Sequence, residues 1–401
     1  MNICKNFYLL WLTVFLFASS SLHADTLTVT NATLISSPNA EPIENSTIKI
    51  VDSVIVSVSQ ETVDLESHVL DVSGHVVTAG LWNSHVHLEQ AMLNNKPQNT
   101  IREMLLKYGF TSILDTGSSP FVIQEVREKI AAGELQGPRI VAAEGGLVYT
   151  NGTPIYLPEL QLPEVNTAAE APAIVQSILD LGADGIKIFA GSHQGEAPSI
   201  ILPPDIIAAI SAAAHKRGAF VVSHPQEYEG LYNSVTNGVD ILAHTTPRAG
   251  ILDDVFISLM LKNDVTLIPT LSLWSWELSR HDVPQAVIDQ FEKVSIQQLA
   301  DFQQLGGRIL FGTDVGYMSE FNTSREFILM EKARLDFSDI LATLTTNPAR
   351  WFSDDQGIVA VGEPGDLVVY AGDPQKNVQE FSNVLITVRG GSVVYSKQPK
   401  D

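Results

Sequence analysis

The stretch "GLWNSHVHL", Gly80–Leu88, decides how the rest of the chain is interpreted, because His85 and His87 are separated only by Val86. In a β-strand, residues i and i+2 point to the same face, so both imidazoles project in one direction. Two neutral imidazoles placed in this way can share a divalent metal ion. Taken alone, the motif is more simply explained by two polar side chains on a solvated strand.

Downstream of this stretch, apolar strand-like runs alternate with helical patterns. Counting "HVVTAGLW", the sequence contains eight such strands, each followed by a helix. Repeated β-α alternation indicates a parallel sheet. Eight units predict an α/β protein with a closed (β/α)8 TIM barrel over residues 78–356, and a doubly wound open sheet is the alternative. No Gly-rich phosphate-binding fingerprint follows the first strand, which weakens a dinucleotide-binding interpretation.

Both flanks of this region are rich in short strands. Residues 25–77 and 357–401 alternate apolar and polar side chains between Asn, Pro, Ser and Gly turn residues. The two flanks together predict a small composite β-sandwich domain built from both chain ends.

Residues 1–24 have the order of a secretory signal peptide: Lys5, an apolar run over residues 7–18, and small residues up to Ala24. The sequence therefore predicts a periplasmic or secreted protein. The apolar run is short for a membrane span, so no membrane association is expected after cleavage, and an uncleaved anchor is the alternative. Cleavage would also remove Cys4, the single cysteine, so a metal would be bound by His, carboxylate or a modified side chain.

The formal net charge of −22 over 401 residues repels phosphate backbones and anionic lipid head groups. Nucleic acid is therefore excluded as a partner, and a small-molecule substrate is expected. The composition leaves the oligomeric state open.

Polar residues stand at the carboxyl ends of several predicted barrel strands, which is where barrel active sites lie. Each has an ordinary structural explanation by itself, such as a packed core histidine or a helix-capping aspartate. Their convergence on one rim predicts a metal site. The residues are His85 and His87 on strand one, Lys187 on strand four, His224 on strand five, His244 on strand six and Asp314 on strand eight.

This order of motifs resembles the amidohydrolase superfamily of metal-dependent hydrolases, and within it the imidazolonepropionase-related enzymes, which include dipeptidase-like and amidase-like members. "TTNPARWF" and "GEPGDLVV" resemble the superfamily's closing helix and returning β-sandwich. The resemblance implies a hydrolase that cleaves the C–N bond of a dipeptide or an N-acyl amino acid through a metal-activated hydroxide. Related enzymes also process lactones.

The resemblance also implies two divalent metal ions, with zinc the ion best suited to imidazole and oxygen ligands. Lys187 would be carboxylated and bridge the two ions, and Asp314 would act as general base and then as general acid. The implied ligands of one ion are His85, His87 and Asp314, and those of the other are His224 and His244.

The sequence departs from the family pattern at two positions. Asn83 replaces a common Asp, and Gln226 stands where related dipeptidases often have Tyr. Gln226 can still donate a hydrogen bond to a substrate carbonyl. Arg248, four residues past His244, can bind a substrate carboxylate through its forked guanidinium, although a surface salt bridge is an equal interpretation.

Glu227 carries a competing interpretation. "HPQE" places it three residues after His224, a pattern found in mononuclear deaminases and cyclic-amide (imidazolonepropionase-like) hydrolases. A Glu at this position can also simply complement the helix dipole. A metal-containing binding protein without catalytic activity is a third hypothesis, disfavoured by the complete ligand set.

Overall fold

The computed structural model describes residues 26–61, 68–93 and 96–397, so the predicted signal peptide and Cys4 lie outside the described residues. The strands are β1 Thr26–Leu34, β2 Ile43–Val51, β3 Val54–Ser59, β4 His68–Asp71, β5 Val76–Ala79, β6 Leu81–Val86, β7 Phe110–Asp115, β8 Arg139–Leu147, β9 Gly185–Phe189, β10 Gly191–Gln194, β11 Ala197–Ile201, β12 Phe220–His224, β13 Ile241–Ala243, β14 Thr266–Ile268, β15 Leu367–Tyr370, β16 Val384–Arg389 and β17 Ser392–Ser396. The α-helices are α1 Glu89–Met92, α2 Pro97–Met104, α3 Pro120–Ala131, α4 Ala171–Asp180, α5 Pro204–Lys216, α6 Tyr228–Thr236, α7 Asp254–Lys262, α8 Leu271–Ser279, α9 Gln285–Gln304, α10 Ser324–Lys332, α11 Phe337–Leu344 and α12 Thr346–Phe352.

Seven parallel strands form a barrel in the order β6-β7-β8-β9-β12-β13-β14. The predicted eighth strand is only a bridging segment, residues 309–315, which closes the barrel between β14 and β6. Leu267 pairs with Ile309, and Val86 pairs with Val315. The ladder is irregular there because Asp314 has a positive φ of 63°, which interrupts extended backbone. The (β/α)8 prediction is therefore confirmed as a TIM-like barrel, with an eighth segment that is not a regular strand.

The barrel interior is filled with apolar side chains and is not a pore. Alternate residues of the barrel strands point inward, as their pleat requires. This packed layer supports the polar residues at the strand ends above it. Its buried members are Trp82, Leu114, Val141, Ala143, Val222, Ile241, Ala243, Ile268 and Leu310.

Eight other strands, from both ends of the chain, form one sheet. Their order is β17-β16-β15-β5-β1-β2-β3, with β4 beside β1. Buried side chains of these strands form an apolar cluster of their own, separate from the barrel core. The two ends of the chain thus share one eight-stranded sheet. β5 belongs to it, so the sheet extends to Ala79. The chain crosses to the barrel at Gly80, where a Cβ would lie 2.2 Å from Thr111 Oγ1.

Two further segments border the carboxyl ends of the barrel strands. The hairpin β10–β11 follows β9, and the loop after β8 is tied to it where Ile155 N donates to His193 O at 3.1 Å. Among the described residues, no helix has the length and apolar character needed to cross a membrane.

Candidate active site

The six predicted ligands converge at the carboxyl ends of the barrel strands. Four imidazoles form an arc, with ring centroids 5.4 Å apart from His87 to His85, 4.6 Å from His85 to His244, and 4.8 Å from His244 to His224. His85, His224 and His244 are buried, and His87 keeps about a quarter of its side chain exposed. The arc supports the interpretation of these histidines as one site.

Asp314 lies against three of these rings. His87 Nε2 is 2.9 Å from its Oδ1 and His85 Nε2 is 3.3 Å from the same oxygen. His244 Nε2 is 3.9 Å from Oδ2. Ligand atoms of His85, His87 and Asp314 all lie within 4.8 Å of one another, a spacing that one metal ion can bridge. This donor set suits a divalent ion such as zinc.

Backbone strain is concentrated at this site. His244, Asp314, Gln226 and Thr270 are all non-glycine residues with φ between 42° and 74°. Such conformations cost about 1–3 kcal/mol each and persist where the surroundings impose them. Here they aim side chains into the site from strand ends that would otherwise continue straight.

The buried imidazoles are neutral at physiological pH. Burial lowers the pKa of His85 to about 4 and that of His224 to about 3, and it lowers the pKa of His244 well below the usual range. Burial works to raise the pKa of Asp314, but His85, His87 and His244 together bring it well below its usual range. Neutral imidazoles beside an ionised carboxylate are the protonation states that metal binding requires.

Lys187 projects from β9 among the histidines and is 2% exposed. Burial lowers the pKa of its amine to about 8, against the opposing charges of Asp314 and Asp115. Its Nζ lies 5.6 Å from the centre of the Phe189 ring. Within the described parts of the chain, no carboxylate oxygen lies within 4 Å of Nζ, so Lys187 and Asp314 form no ion pair.

Asn83 connects β6 to the closing segment, and these carry His85 and Asp314 respectively. Its Nδ2 donates to Thr313 Oγ1 at 2.7 Å, and its Oδ1 accepts from Thr313 N at 3.2 Å and from His85 N at 3.3 Å. It thus supports the backbone beside His85 and Asp314 and is not one of the three grouped donor residues.

Two buried supports were missed from sequence. Asp115, at the end of β7, accepts hydrogen bonds from Leu88 N at 2.7 Å and from Ser118 N and Oγ at 2.8 and 2.7 Å. It holds the backbone that follows the His-X-His motif. Thr270 Oγ1 lies 2.6 Å from His244 Nδ1, which leaves Nε2 facing the site. The position of Asp115 directly before Thr116-Gly117 was a usable signal, but Thr270 gave none.

The residues considered for substrate binding differ in position. Gln226 is buried, and its Oε1 lies 3.1 Å from His224 Nε2. The side-chain Nε2 of Gln226 makes no hydrogen bond among the described residues. Arg248 is exposed, its guanidinium lies 5.8 Å from the Phe291 ring, and no ion pair forms within the described chain. Glu227 is the residue directly before α6. Burial chiefly lowers the pKa of His193, and the charge of Glu227 works to raise it.

Aromatic side chains border the opening of the site. The Tyr317 ring lies 5.6 Å from that of Tyr156 and 5.7 Å from that of Trp276, in edge-on contacts. Tyr317 donates a hydrogen bond to Glu277 Oε2 at 2.9 Å. Trp274 instead packs behind His244 and donates to Thr245 O at 3.2 Å. Trp276 and the two tyrosines therefore form one aromatic wall, which Trp274 does not join.

The carboxyl groups of Glu144 and Glu326 are buried outside the His85–His87–Asp314 group, and both have a raised pKa. Burial, followed by the charge of Asp115, raises the pKa of Glu144 on β8 to about 8, and its Oε2 has no hydrogen-bond partner among the described residues. Burial raises the pKa of Glu326 on α10 to about 7, although its hydrogen bonds with Ser272 and Leu271 lower it. Glu144 is thus protonated at neutral pH, and Glu326 titrates near it.

The amidohydrolase family profile matches residues 76–394. Uncharacterised proteins of Mycobacterium bovis and Mycobacterium tuberculosis are 25% identical over 201 residues, 46% of this chain and 51% of theirs, so the chain spans about half the length of the curated relatives it matches. Among solved structures, a putative prolidase from Bifidobacterium longum is 26% identical with a TM-score of 0.78, covering 94% of this chain and 96% of that one. A Xaa-Pro dipeptidase with bound methionine in its active site is similar in fold, at 24% identity and TM-score 0.80 over 92% of this chain and 100% of that one.

Proposed function

This chain belongs to the amidohydrolase family, and we propose that it is a binuclear zinc hydrolase that cleaves the amide C–N bond of a dipeptide or an N-acyl amino acid. The observation that carries the proposal is the arc of neutral imidazoles around the buried, ionised Asp314, with Lys187 among them. His85, His87 and Asp314 would hold one ion, and His224 and His244 the other. Bound divalent ions would lower the pKa of a coordinated water molecule and would polarise the scissile carbonyl.

Lys187 would complete the ligand set as a carbamate. A protonated lysine has no lone pair for a metal, but an amine with a pKa near 8 is partly neutral at physiological pH. The neutral amine adds to the carbon of CO2, a nitrogen–carbon bond forms, and the nitrogen releases one proton. The product is an anion with two oxygen ligands, which replaces the cation that would repel metal ions.

Asp314 would move the proton. Its Oδ1 is occupied by His85 and His87, whereas Oδ2 makes no hydrogen bond within the described residues. Oδ2 is therefore the atom that would accept the proton of the attacking water and deliver it to the leaving nitrogen, as general base and then general acid.

The substrate would be oriented by groups around the opening. The unpaired Nε2 of Gln226 would donate a hydrogen bond to the scissile carbonyl oxygen. The guanidinium of Arg248 would bind the substrate's free carboxylate, and the wall of Tyr156, Tyr317 and Trp276 would contact its apolar part. Xaa-Pro dipeptides belong in the substrate test because similar solved structures are described as a putative prolidase and a Xaa-Pro dipeptidase.

The test combines a metal count with a substrate panel of dipeptides, Xaa-Pro dipeptides, N-acyl amino acids and lactones. The expected result is close to two zinc ions per chain and hydrolysis of an amide substrate. His224→Ala should lose at least one ion. The matched control is His215→Ala, because His215 is exposed and pairs with Asp240 away from the site. One ion at full activity would instead favour the mononuclear deaminase with Glu227, and a preference for lactones would contradict amide hydrolysis.

We also infer export from the cytoplasm, on the order of Lys5, the apolar run and Ala24 in the sequence. Amino-terminal sequencing of the mature protein should begin near Asp25, in a periplasmic or secreted fraction. An intact Met1 in soluble cytoplasmic protein would contradict this.

A further inference from the structure

Helix α8 begins directly behind the metal centre. Thr270 precedes its first residue, adopts a left-handed conformation with φ 42° and ψ 53°, and is fully buried. Its Oγ1 lies 2.6 Å from His244 Nδ1. For His244 Nε2 to face a metal ion, Nδ1 must carry the proton and donate it to Thr270. The orientation of this imidazole thus depends on where α8 begins.

The amino end of α8 is not capped by its own residues, since Thr270 makes no side-chain capping bond. Glu326 on α10 supplies the missing acceptor from 55 residues away. Its Oε1 accepts from Leu271 N at 2.7 Å, and its Oε2 accepts from Ser272 N at 2.8 Å and from Ser272 Oγ at 2.7 Å. Glu326 is 1% exposed, so these bonds are shielded from water. A carboxylate at a helix amino terminus is also favoured by the helix dipole.

We propose that Glu326 is a positioning residue of the metal centre: it fixes the amino end of α8 so that Thr270 holds the His244 ring with Nε2 toward the metal. Glu326 touches no predicted ligand and acts only through Leu271–Ser272 and Thr270. The strained backbone of Thr270 needs such an external restraint, because a residue with φ near 42° relaxes unless its neighbours are held. This inference rests on the metal centre of the proposed function.

A purely structural role for Glu326 makes a different prediction. A helix cap stabilises the folded protein, and its loss lowers the melting temperature without changing the site of the folded protein. Loss of a group that orients a metal-ligating histidine weakens metal affinity about 10–100-fold. The two roles are therefore separated by measuring metal release from folded protein beside the melting temperature of the metal-free form.

The experiment compares Glu326→Gln, Thr270→Val and the double variant, each reconstituted with Zn²⁺ and then challenged with a chelator at 25 °C. Each single variant should release its more labile ion about 10-fold faster than wild type. The double variant should be little worse than the worse single one, because both changes break the same connection. Glu331→Gln is the matched control, an exposed residue of the same helix. If Glu326→Gln does not fold, Ser272→Ala removes one of the bonds to Glu326 and should shift release in the same direction.

Two outcomes would overturn the inference: a lowered melting temperature with release within twofold of wild type, or effects of the two single changes that multiply in the double variant. Wild type that binds two ions but hydrolyses none of the panel would overturn the proposed function alone, since metal release would still report on Glu326. Wild type that binds no divalent ion would overturn both.

Discussion

Asn83 and Thr313 hydrogen-bond to each other twice, at 2.7 Å and 3.2 Å, across the line where the first barrel strand meets the closing segment. One residue beyond Thr313 is Asp314, and two residues beyond Asn83 is His85. The pair therefore sets the separation between a histidine and a carboxylate that are expected to share an ion.

Asn83→Ala should weaken metal binding about 10-fold, the lower end of what loss of a supporting group costs. Asn83→Asp should bind metal almost as well as wild type. Its carboxylate can still accept from Thr313 N and His85 N, and the Thr313 hydroxyl can turn to donate. Zinc titration of the metal-free proteins measures both. Equal losses in the two variants would show that the contacts to Oδ1 do not position the ligands.

Lys187→Ala should lose metal and nearly all activity, because it removes the amine that would carry the bridging carbamate. A short carboxylic acid such as formate or propionate should restore part of both, and Lys187→Glu should keep partial function. For wild type, reconstitution with Zn²⁺ at one fixed concentration of dissolved CO2 should be faster at pH 8.5 than at pH 6.5, because the amine, with a pKa of about 8, is mostly neutral only at the higher pH. Two ions and normal turnover in Lys187→Ala would reject the carbamate.

Arg248→Met should raise KM about 10-fold or more for substrates with a free carboxylate, and should change KM little for the corresponding amides. The expected size is that of a charge-assisted hydrogen bond of about 1.5–3 kcal/mol. Arg280→Met is a useful comparison, because Arg280 is exposed, pairs with Glu277 and stacks on Trp276. Equal effects of Arg248→Met on both substrate classes would place Arg248 outside the substrate site.

Glu144→Gln should stabilise the protein at alkaline pH. The unfolded carboxyl ionises above its ordinary value of 4.5, whereas the pKa of Glu144 in the folded protein is about 8. Between these values the folded state binds more protons, so wild-type stability falls as pH rises. Gln mimics the protonated form and removes this dependence.

The melting temperature of Glu144→Gln should therefore exceed that of wild type increasingly from pH 5 to pH 9, by on the order of 2 °C for each kcal/mol of penalty removed. Glu128→Gln, an exposed change on α3, should show no such trend. A constant difference across the range would mean that Glu144 does not titrate there.

The sequence predicted those features that repeat or that stand at strand ends. The alternation of strands and helices predicted the barrel. The six predicted ligands stand at or near the carboxyl ends of their strands: His85, His87, Lys187, His224, His244 and Asp314. Their mutual proximity follows from the barrel alone. The sequence does not mark the division of "HVVTAGLW" between β5 and β6, because that division at Gly80 depends on the close approach of Thr111.

The sequence could not predict contacts between distant segments. Glu326 lies in an ordinary amphipathic pattern, and only the packing of α10 on α8 buries it against Ser272. The positive φ values of His244 and Asp314 could not be predicted either: His and Asp adopt such values more often than most non-glycine residues, but the residue type does not determine them. The eighth strand was predicted as regular for the same reason.

The composite sheet has a consequence for biosynthesis. β5 pairs with β15 at Val77 and Val369, so the partners are almost 300 residues apart in the chain. The amino-terminal hairpins can form while the ribosome is still translating, but β5 has no partner on that side until residue 370 has emerged. Non-local strand pairing of this kind is slow, and an unpaired edge is prone to association in the meantime. The protein therefore completes its sheet only after the last strands are synthesised, and a nonsense codon anywhere before β15 leaves the amino-terminal half with an open edge.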